Sequence, residues 1–391
     1  MRIGIDIRCL QEGRKTGVEE YTLNLLSNIF ELDKKNEYVL FFNSLKGKNL
    51  DLDWLKKYPN VRIKSFHYPN KIFNLLVWYF NWPKIDRLIG GTDVFWMPNI
   101  NFGAFSERTK LMLTMHDLSF EIMPENFPWK TRLWHFLINP KKLCQRADKI
   151  IAVSDSTKND LEIFYKINSE KISVIHSAVS DDFKVIDRNN PEMLAVKEKY
   201  NLPYHFILYL GTIEPRKNII SIVKAYDQLR RLKNKELDRY KLAIAGANGW
   251  KEKGVLKEIN KSPFKNDILT IGFIKPENKP YLYNLASLFV YPSFFEGFGF
   301  PPLEAMSSGV PVITSNNSSL PEIVGDSGIL IDPEKTDELC KAMREILLNR
   351  EWCSKLREKG LKRATDFDWQ KSAGNFLEVV DKIKPIEVRP R

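Results

Sequence analysis

Short apolar runs alternate with longer amphipathic runs along almost the whole of this 391-residue chain. The short runs are rich in Val, Ile, Leu and Phe and have the length of β-strands, whereas the longer runs repeat apolar residues at helical spacing. Strands that alternate with helices predict βαβ units, and therefore parallel sheets covered by helices. In the first half we predict strands at residues 2–7, 37–42, 61–66, 94–98, 110–117, 149–154 and 171–178.

The same pattern restarts after a polar, irregular stretch in the middle of the chain. Further strands are predicted at 205–212, 240–246, 267–274, 287–293, 310–315 and 328–332, and the tail is helical. The predicted fold class is α/β, with two Rossmann-like doubly wound parallel-sheet domains facing a central cleft. The predicted division is an N-terminal domain at 1–180, a linker at 181–195, a C-terminal domain at 196–367 and a C-terminal helix at 368–391 that packs back on the N-terminal domain.

Composition narrows the class of protein further. The four cysteines are scattered without a C-x-x-C pair, which argues against a zinc site and a disulfide framework and favours the cytoplasm. No apolar run reaches the roughly 18 residues of a membrane span, and Asp6 interrupts the apolar stretch that a signal peptide would need. The net charge of +11 permits anionic partners, but no nucleic-acid motif accompanies it, so we expect no nucleic-acid partner.

Two stretches of the first half indicate contact with a membrane surface. Residues 72–82, IFNLLVWYFNW, are apolar and aromatic, and residues 128–149 combine six Lys/Arg with two Trp. A basic aromatic helix can lie on anionic lipid. The alternative is that the apolar side chains pack on the sheet while the charges are solvated. We expect peripheral association with an anionic membrane, on its inner face.

The candidate chemistry is concentrated at residues 294–306, FFEGFGFPPLEAM, which follow a predicted strand. Gly297 and Gly299 allow backbone N–H groups to approach a ligand closely, and Pro301 or Pro302 suits the first turn of a helix. The N-terminus of that helix attracts anions. We expect Glu304 in the first turn of this helix.

A second anion-binding element follows the strand at 205–212. Arg216 and Lys217 stand immediately before a predicted helix. Two cations and two helix N-termini at one sheet edge would satisfy a diphosphate, while Glu296 could accept hydrogen bonds from sugar hydroxyls and Glu304 from a ribose. The ligand that joins these three groups is a nucleotide sugar.

Each of these residues also has a purely structural interpretation. Glu296 and Glu304 could be acids favoured near a helix start, and Arg216 with Lys217 could be a solvated turn. His116, beside Asp117 at a strand end, could be an ordinary strand-end histidine.

These motifs resemble the retaining glycosyltransferases of the GT-B fold, family 4 (group 1). The run 294–306 is similar to their E-x7-E signature, GTIEPRKN at 211–218 to their diphosphate clamp, and the resemblance covers essentially the whole chain. Segments 4–26 and 114–120 resemble the mannosyltransferase-like branch, although the first loop reads G-V-E-E-Y where that branch often has G-x-G-R-Y. The order of the motifs makes the resemblance specific.

The resemblance implies roles for particular residues. It implies a donor-side C-terminal domain, an acceptor-side N-terminal domain and a catalytic set of His116, Arg216, Lys217 and Glu296. The implied donor-binding set comprises Gly17, Gly211, Arg216, Lys217, Phe273, Glu296, Gly297, Phe298, Gly299, Leu303 and Glu304. Backbone groups near Gly272 and Phe273 would hold the nucleobase.

The implied activity is retaining transfer of a hexose from a nucleotide sugar to a glycan or lipid-linked saccharide in polysaccharide biosynthesis. Mannose from GDP-mannose is the preferred donor, and a UDP-sugar or another nucleotide sugar is the alternative. A catalytically silent nucleotide- or carbohydrate-binding protein of the same fold is a further alternative. No Asp-x-Asp run stands at a predicted strand end, so we expect no metal ligands, no metal requirement and no cofactor beyond the donor.

Overall fold

The computed structural model describes residues 1–12, 16–45, 52–187, 189–247, 249–250 and 252–383. They form two compact units. The first unit contains Met1–Ser177 together with the C-terminal segment from Asp368, and the second contains Ala178–Phe367. Among the described residues, no helix combines the length and the apolar character that crossing a bilayer demands.

The first unit is built on a seven-stranded sheet. Its strands are β1 (Arg2–Asp6), β2 (Glu37–Asn43), β3 (Val61–Phe66), β4 (Val94–Met97), β5 (Lys110–Met115), β6 (Lys149–Ala152) and β7 (Ile172–Val174). Its helices are α1 (Gly17–Leu32), α2 (Asn70–Phe80), α3 (Ile85–Leu88), α4 (Ser119–Ile122), α5 (Trp129–Ile138), α6 (Pro140–Arg146) and α7 (Asp155–Tyr165). All strand pairs are parallel, in the order β3-β2-β1-β4-β5-β6-β7.

The second unit is built on a six-stranded sheet. Its strands are β8 (Phe206–Leu210), β9 (Lys241–Ala245), β10 (Ile268–Gly272), β11 (Leu288–Tyr291), β12 (Val312–Ser315) and β13 (Ile329–Ile331). Its helices are α8 (Pro191–Lys199), α9 (Ile219–Arg231), α10 (Lys235–Asp238), α11 (Lys253–Lys261), α12 (Lys279–Leu285), α13 (Phe300–Ser307), α14 (Leu320–Val324), α15 (Thr336–Leu348) and α16 (Arg350–Ala364). The strands are again parallel, in the order β10-β9-β8-β11-β12-β13.

The last helix, α17 (Trp369–Asp381), belongs to the first unit. It packs along α1. Phe376 is fully buried, with its ring centroid 4.5 Å from that of Trp96 on β4. The first unit is therefore completed by a segment that follows the whole of the second unit in the chain.

The α/β fold class of two Rossmann-like parallel-sheet domains is confirmed, and each predicted strand corresponds to one of the described strands. Central strands such as β8 are buried along their whole length, because helices cover both faces of a parallel sheet. Side-chain caps fix the starts of several helices. Ser154 caps α7 by accepting a hydrogen bond from the backbone N–H of Thr157 at 3.1 Å.

The structure departs from the predicted division at the linker. The stretch 181–195 is part of the second unit, which begins at Ala178 rather than after a separate connector. Helix α8 starts inside it at Pro191, where the Asn190 side chain accepts a hydrogen bond from the N–H of Glu192. An Asn cap followed by proline at the first helical position is a strong helix start, and the polar composition of the segment concealed it.

Candidate active site

Two loops of the second unit meet where its strand order reverses. Strands β8 and β11 are neighbours, but the chain continues from β8 towards β10 on one side and from β11 towards β13 on the other. Loops that leave the carboxyl ends of such a pair diverge and leave a crevice for a ligand. The loop after β8 carries Arg216 and Lys217, and the loop after β11 carries Glu296. The topology thus joins groups that lie 79 and 80 residues apart.

These side chains form a buried ion network. Lys217 Nζ lies 2.6 Å from Glu296 Oε1, and Arg216 Nη1 lies 3.2 Å from Glu296 Oε2. The other edge of the Arg216 guanidinium reaches Glu214 Oε1 at 2.9 Å. Lys217 also donates to the hydroxyl of Tyr291 at 2.6 Å. Both oxygens of Glu296 are therefore held by cations, which fixes the orientation of its carboxylate.

The network keeps Glu296 ionised at neutral pH. Burial by itself would raise the pKa of Glu296, but Arg216 and Lys217 outweigh this effect and lower that pKa to about 2. Burial, followed by the charge of Arg216, lowers the pKa of Lys217, while Glu296 opposes the change. A carboxylate with so low a pKa is a poor general base, so Glu296 is suited to accepting hydrogen bonds.

The charges of the network cancel, which the sequence did not indicate. Arg216 and Lys217 carry two positive charges, and Glu214 and Glu296 carry two negative charges. A bound phosphate must therefore share the two cations with Glu296. Additional attraction for an anion has to come from backbone N–H groups and helix N-termini.

The turn after Glu296 supplies such a helix N-terminus. Gly299 has φ of +122° and precedes α13, whose first turn has no side-chain cap. A φ in this range disfavours any residue with a Cβ, which accounts for the glycine. Pro301 and Pro302 both lie in the first turn, as predicted. Because Pro301 and Pro302 have no N–H group, the backbone donors that a ligand could use here are those of Gly299 and Phe300 at the start of the helix.

Glu304 lies deeper in α13 than predicted. Because the helix begins at Phe300, one residue before the prolines, Glu304 falls in the second turn and not in the first. Its side chain is buried; Tyr283 donates to one carboxylate oxygen at 2.6 Å and Lys279 lies 3.4 Å from the other. Helix α12 therefore holds Glu304 in a fixed orientation.

The remaining donor-side residues are placed by the strand ends. Gly211 follows β8, and its carbonyl oxygen packs closely against Gly246. A Cβ added to Gly246 would lie only 1.8 Å from that oxygen. Phe273 follows β10 and is largely exposed, available to contact a ligand. Leu303 is fully buried in α13, and its N–H donates to the carbonyl oxygen of Gly299 at 3.3 Å.

The first unit has its own switch point, between β1 and β4. Gly17 is the first residue of α1. Thr16 and Glu19 form a reciprocal capping box at the N-terminus of this helix. His116 follows β5; its Nε2 lies 2.8 Å from the carbonyl oxygen of Pro98, and its ring contacts Tyr21 edge-on at 4.9 Å. Burial lowers the pKa of His116, which favours the neutral form of its imidazole.

Sequence reasoning missed several residues that support the site. Ser318 accepts a hydrogen bond from the N–H of Glu296 at 3.0 Å, and Ser319 donates to the Glu296 carbonyl oxygen at 3.0 Å. Glu214 and Tyr291 complete the ion network. A signal was present for Glu214, because an acid two residues before Arg216 at a strand end is placed to pair with it. No local pattern pointed to the serines.

Comparison with known proteins agrees with this geometry. Residues 192–363 match the family described as "Glycosyl transferases group 1", and residues 16–183 match "Glycosyltransferase Family 4". The O-antigen chain mannosyltransferase B of Escherichia coli is 31% identical over 370 residues, covering 91% of this chain and 93% of that protein. The chain belongs to the group 1, family 4 glycosyltransferases, and is a glycosyltransferase.

Solved structures show the same fold at low sequence identity. Sucrose-phosphate synthase from Thermosynechococcus elongatus superposes with a TM-score of 0.74 at 18% identity, covering 98% of this chain and 99% of that one. Anabaena HepE in complex with UDP and glucose gives 0.71 at 17% identity, covering 97% and 99%. The predicted GT-B fold is confirmed.

Proposed function

We propose that this glycosyltransferase transfers a hexose from a nucleotide sugar to a saccharide or lipid-linked saccharide during polysaccharide biosynthesis. The first candidate donor is GDP-mannose, and the transfer retains the anomeric configuration without a metal ion. The preference for mannose is supported by the similarity to the O-antigen mannosyltransferase, which extends over 91% of the chain.

The observation that carries the proposal is the fixed Glu296 carboxylate between Arg216 and Lys217, beside the uncapped start of α13. Departure of a nucleoside diphosphate places developing negative charge on a phosphate oxygen. Cations and N–H groups that are already in place stabilise that charge most strongly in the transition state. Glu296 then binds hydroxyls of the donor sugar, and a phosphate oxygen of the leaving group takes the proton of the acceptor hydroxyl.

A glycosidase-like role for Glu296 has little support. A nucleophilic carboxylate attacks the anomeric carbon through an oxygen lone pair. The cations on both oxygens of Glu296 lower its pKa and weaken it as a nucleophile, while the remaining lone pairs can still accept hydrogen bonds from sugar hydroxyls. Glu296 is therefore assigned to donor binding.

Two alternatives remain distinguishable by experiment. The first is a UDP-sugar or another nucleotide-sugar donor with the same chemistry, since the ion network would contact the diphosphate and the sugar, which all such donors share. The second is a catalytically silent binding protein of the same fold. The complete network of Glu214, Arg216, Lys217 and Glu296 favours an active enzyme.

The test is a panel of GDP-, UDP-, ADP- and dTDP-sugars, measured for binding and slow donor hydrolysis in EDTA. We expect GDP-mannose to bind and to turn over in EDTA, and Arg216→Ala/Lys217→Ala to abolish turnover because the leaving diphosphate loses its cations. Restoration of turnover only by added Mg²⁺ or Mn²⁺ would overturn metal independence. Turnover of a UDP-sugar alone would select the alternative donor, and binding without turnover would indicate a silent protein.

We also propose that the first unit attaches the protein peripherally to an anionic membrane on its cytoplasmic side. On α5, Trp129, Leu133 and Phe136 occupy positions i, i+4 and i+7 and are all exposed, Phe136 by 79%. No described side chain of α5 is buried. An exposed apolar helix face flanked by Lys130 and Arg132 is the pattern of an interfacial helix.

Helix α2 has a second face of the same kind. Ile72, Leu75 and Tyr79 follow at positions i, i+3 and i+7, and Tyr79 is 71% exposed. Trp78 and Phe80 extend this apolar surface. Exposed aromatic side chains suit the headgroup region of a bilayer, so both helices support the proposed attachment.

A further inference from the structure

A large groove lies at the end of the second sheet opposite the candidate active site. It is bounded by α8, by the end of α15, by the first half of α16 and by the segments that lead into β8, β11 and β12. Because all strands are parallel, these segments mark the amino ends of the strands, whereas Arg216 and Glu296 follow the carboxyl ends. The groove encloses about 1350 Å³, more than the roughly 300–1,000 Å³ of common small-molecule sites.

Cations dominate the lining of this basic groove. Two acids, Glu236 and Glu345, also line it. The five cations come from separate elements of the unit and are Lys197, Arg239, Arg344, Arg350 and Arg357. The local balance is therefore three positive charges.

Among the described residues, the groove cations lack the ion pairs that Arg230 and Arg363 of the same unit form. Arg230 pairs with Asp238 and Asp267, and Arg363 pairs with Asp366. In the described part of the chain, no ion pair is formed by the groove cations Lys197, Arg239, Arg344, Arg350 and Arg357. Cations that line one groove without carboxylate partners favour an anionic ligand.

The composition of the groove indicates the kind of anion. Four of the five cations are arginines, whose planar guanidinium groups bind phosphate through paired hydrogen bonds. Tyr204 at the rim is 85% exposed, and Lys197 Nζ lies 3.0 Å from the centre of its ring. Ser308 in the wall has a buried hydroxyl with no hydrogen-bond partner among the described residues, which is costly unless another group satisfies it.

We propose that the basic groove is a second anion site, which binds a small molecule carrying two phosphate groups. Arg344 on α15 and Arg357 on α16 are the principal phosphate contacts. The site is separate from the ion network of Arg216, Lys217 and Glu296, and it does not depend on the proposed donor or reaction.

The experiment uses inorganic pyrophosphate as the probe and the full chain as the protein. Arginine modification by phenylglyoxal, read residue by residue by mass spectrometry, shows which guanidinium groups pyrophosphate protects. We expect protection of Arg344 and Arg357 in addition to Arg216. Equal labelling of Arg344 and Arg357 with and without saturating pyrophosphate would overturn the proposal, and this readout requires no variant.

Calorimetric titration of variants separates the two sites. We expect Arg344→Ala/Arg357→Ala to weaken groove binding about tenfold or more, because charge-assisted hydrogen bonds are lost. Lys341→Ala/Lys362→Ala removes two exposed cations from the same helices outside the groove and should leave binding unchanged. Groove binding should persist in Arg216→Ala/Lys217→Ala. Complete loss of pyrophosphate binding in that last variant would contradict the groove and leave only the candidate active site.

Discussion

Glu296 gives the clearest prediction at the scale of a single residue. Replacement by Gln keeps the size of the side chain but removes one of the two negative charges of the network. The buried cations Arg216 and Lys217 are then balanced only by the carboxylate of Glu214. Breaking a buried pair on one side costs about 3–5 kcal/mol. We therefore expect Glu296→Gln to lower the free energy of unfolding at pH 7 by about 3 kcal/mol, measured by urea denaturation.

The same variant has a defined pH dependence. The pKa of Glu296 is about 2 in the folded protein, below its ordinary value of 4.5, so its contribution to stability is present above pH 4.5 and is lost as the pH falls towards 2. The difference between wild type and variant should shrink over that interval. Glu334→Gln, at an exposed carboxylate, is the matched control and should change little. A Glu296→Gln protein as stable as wild type at pH 7 would show that the ion network does not stabilise the fold.

The proposed membrane attachment can be tested separately on helices α2 and α5. We expect Leu75→Ser/Tyr79→Ser on α2 and Leu133→Ser/Phe136→Ser on α5 each to reduce sedimentation with anionic liposomes at low salt, because each removes apolar area that would be buried in the interface. The control is Ile163→Ser/Phe164→Ser, two exposed apolar residues of α7 in the same unit. Equal binding to neutral and anionic liposomes, or an equal loss in the control, would contradict a specific attachment through α2 and α5.

Strands were the elements that sequence predicted best. A parallel strand buried on both faces reads as a continuous apolar run, as in β8 and β11, and such runs are bounded by the turns that follow them. Helix α8 was missed because the polar stretch before it was assigned to a linker that reached into the helix, although Asn190 and Pro191 marked its start. The second-turn position of Glu304 was also missed, because α13 begins at Phe300 rather than at a proline.

The position of the candidate residues after strand ends was predictable from the sequence, but the electrostatics of the candidate site were not. Arg216, Lys217 and Glu296 could be assigned to strand ends from the pattern alone. Their mutual neutralisation could not, because it depends on β8 and β11 being neighbours at the switch point. The role of Ser319, which holds the Glu296 loop from a third segment of the chain, depends on the same tertiary arrangement.

The whole molecule has an interleaved chain, since the first unit is completed only by α17. Trp369, Phe376 and Val380 are buried, and α17 packs on α1 rather than extending the second unit. The whole second unit therefore precedes, in the chain, the helix that completes the first unit. Loss of contacts on α17 should consequently weaken the strands of the first unit, although β4 lies more than 200 residues earlier in the chain. The strands of the second unit, which are nearer to α17 in the chain, should stay intact.

Phe376→Ala tests this arrangement, with Phe289→Ala on β11 as the counterpart in the second unit. Each substitution removes a fully buried ring and should cost about 3–5 kcal/mol. Hydrogen exchange read by mass spectrometry should show Phe376→Ala accelerating exchange in β1, β4 and β5 while β8, β11 and β12 stay protected, and Phe289→Ala doing the reverse. If Phe376→Ala destabilised β11 and β12 as much as β4, α17 would not belong to the first unit alone. Opposite patterns in the two variants would establish that two cores unfold separately even though the chain of one interrupts that of the other.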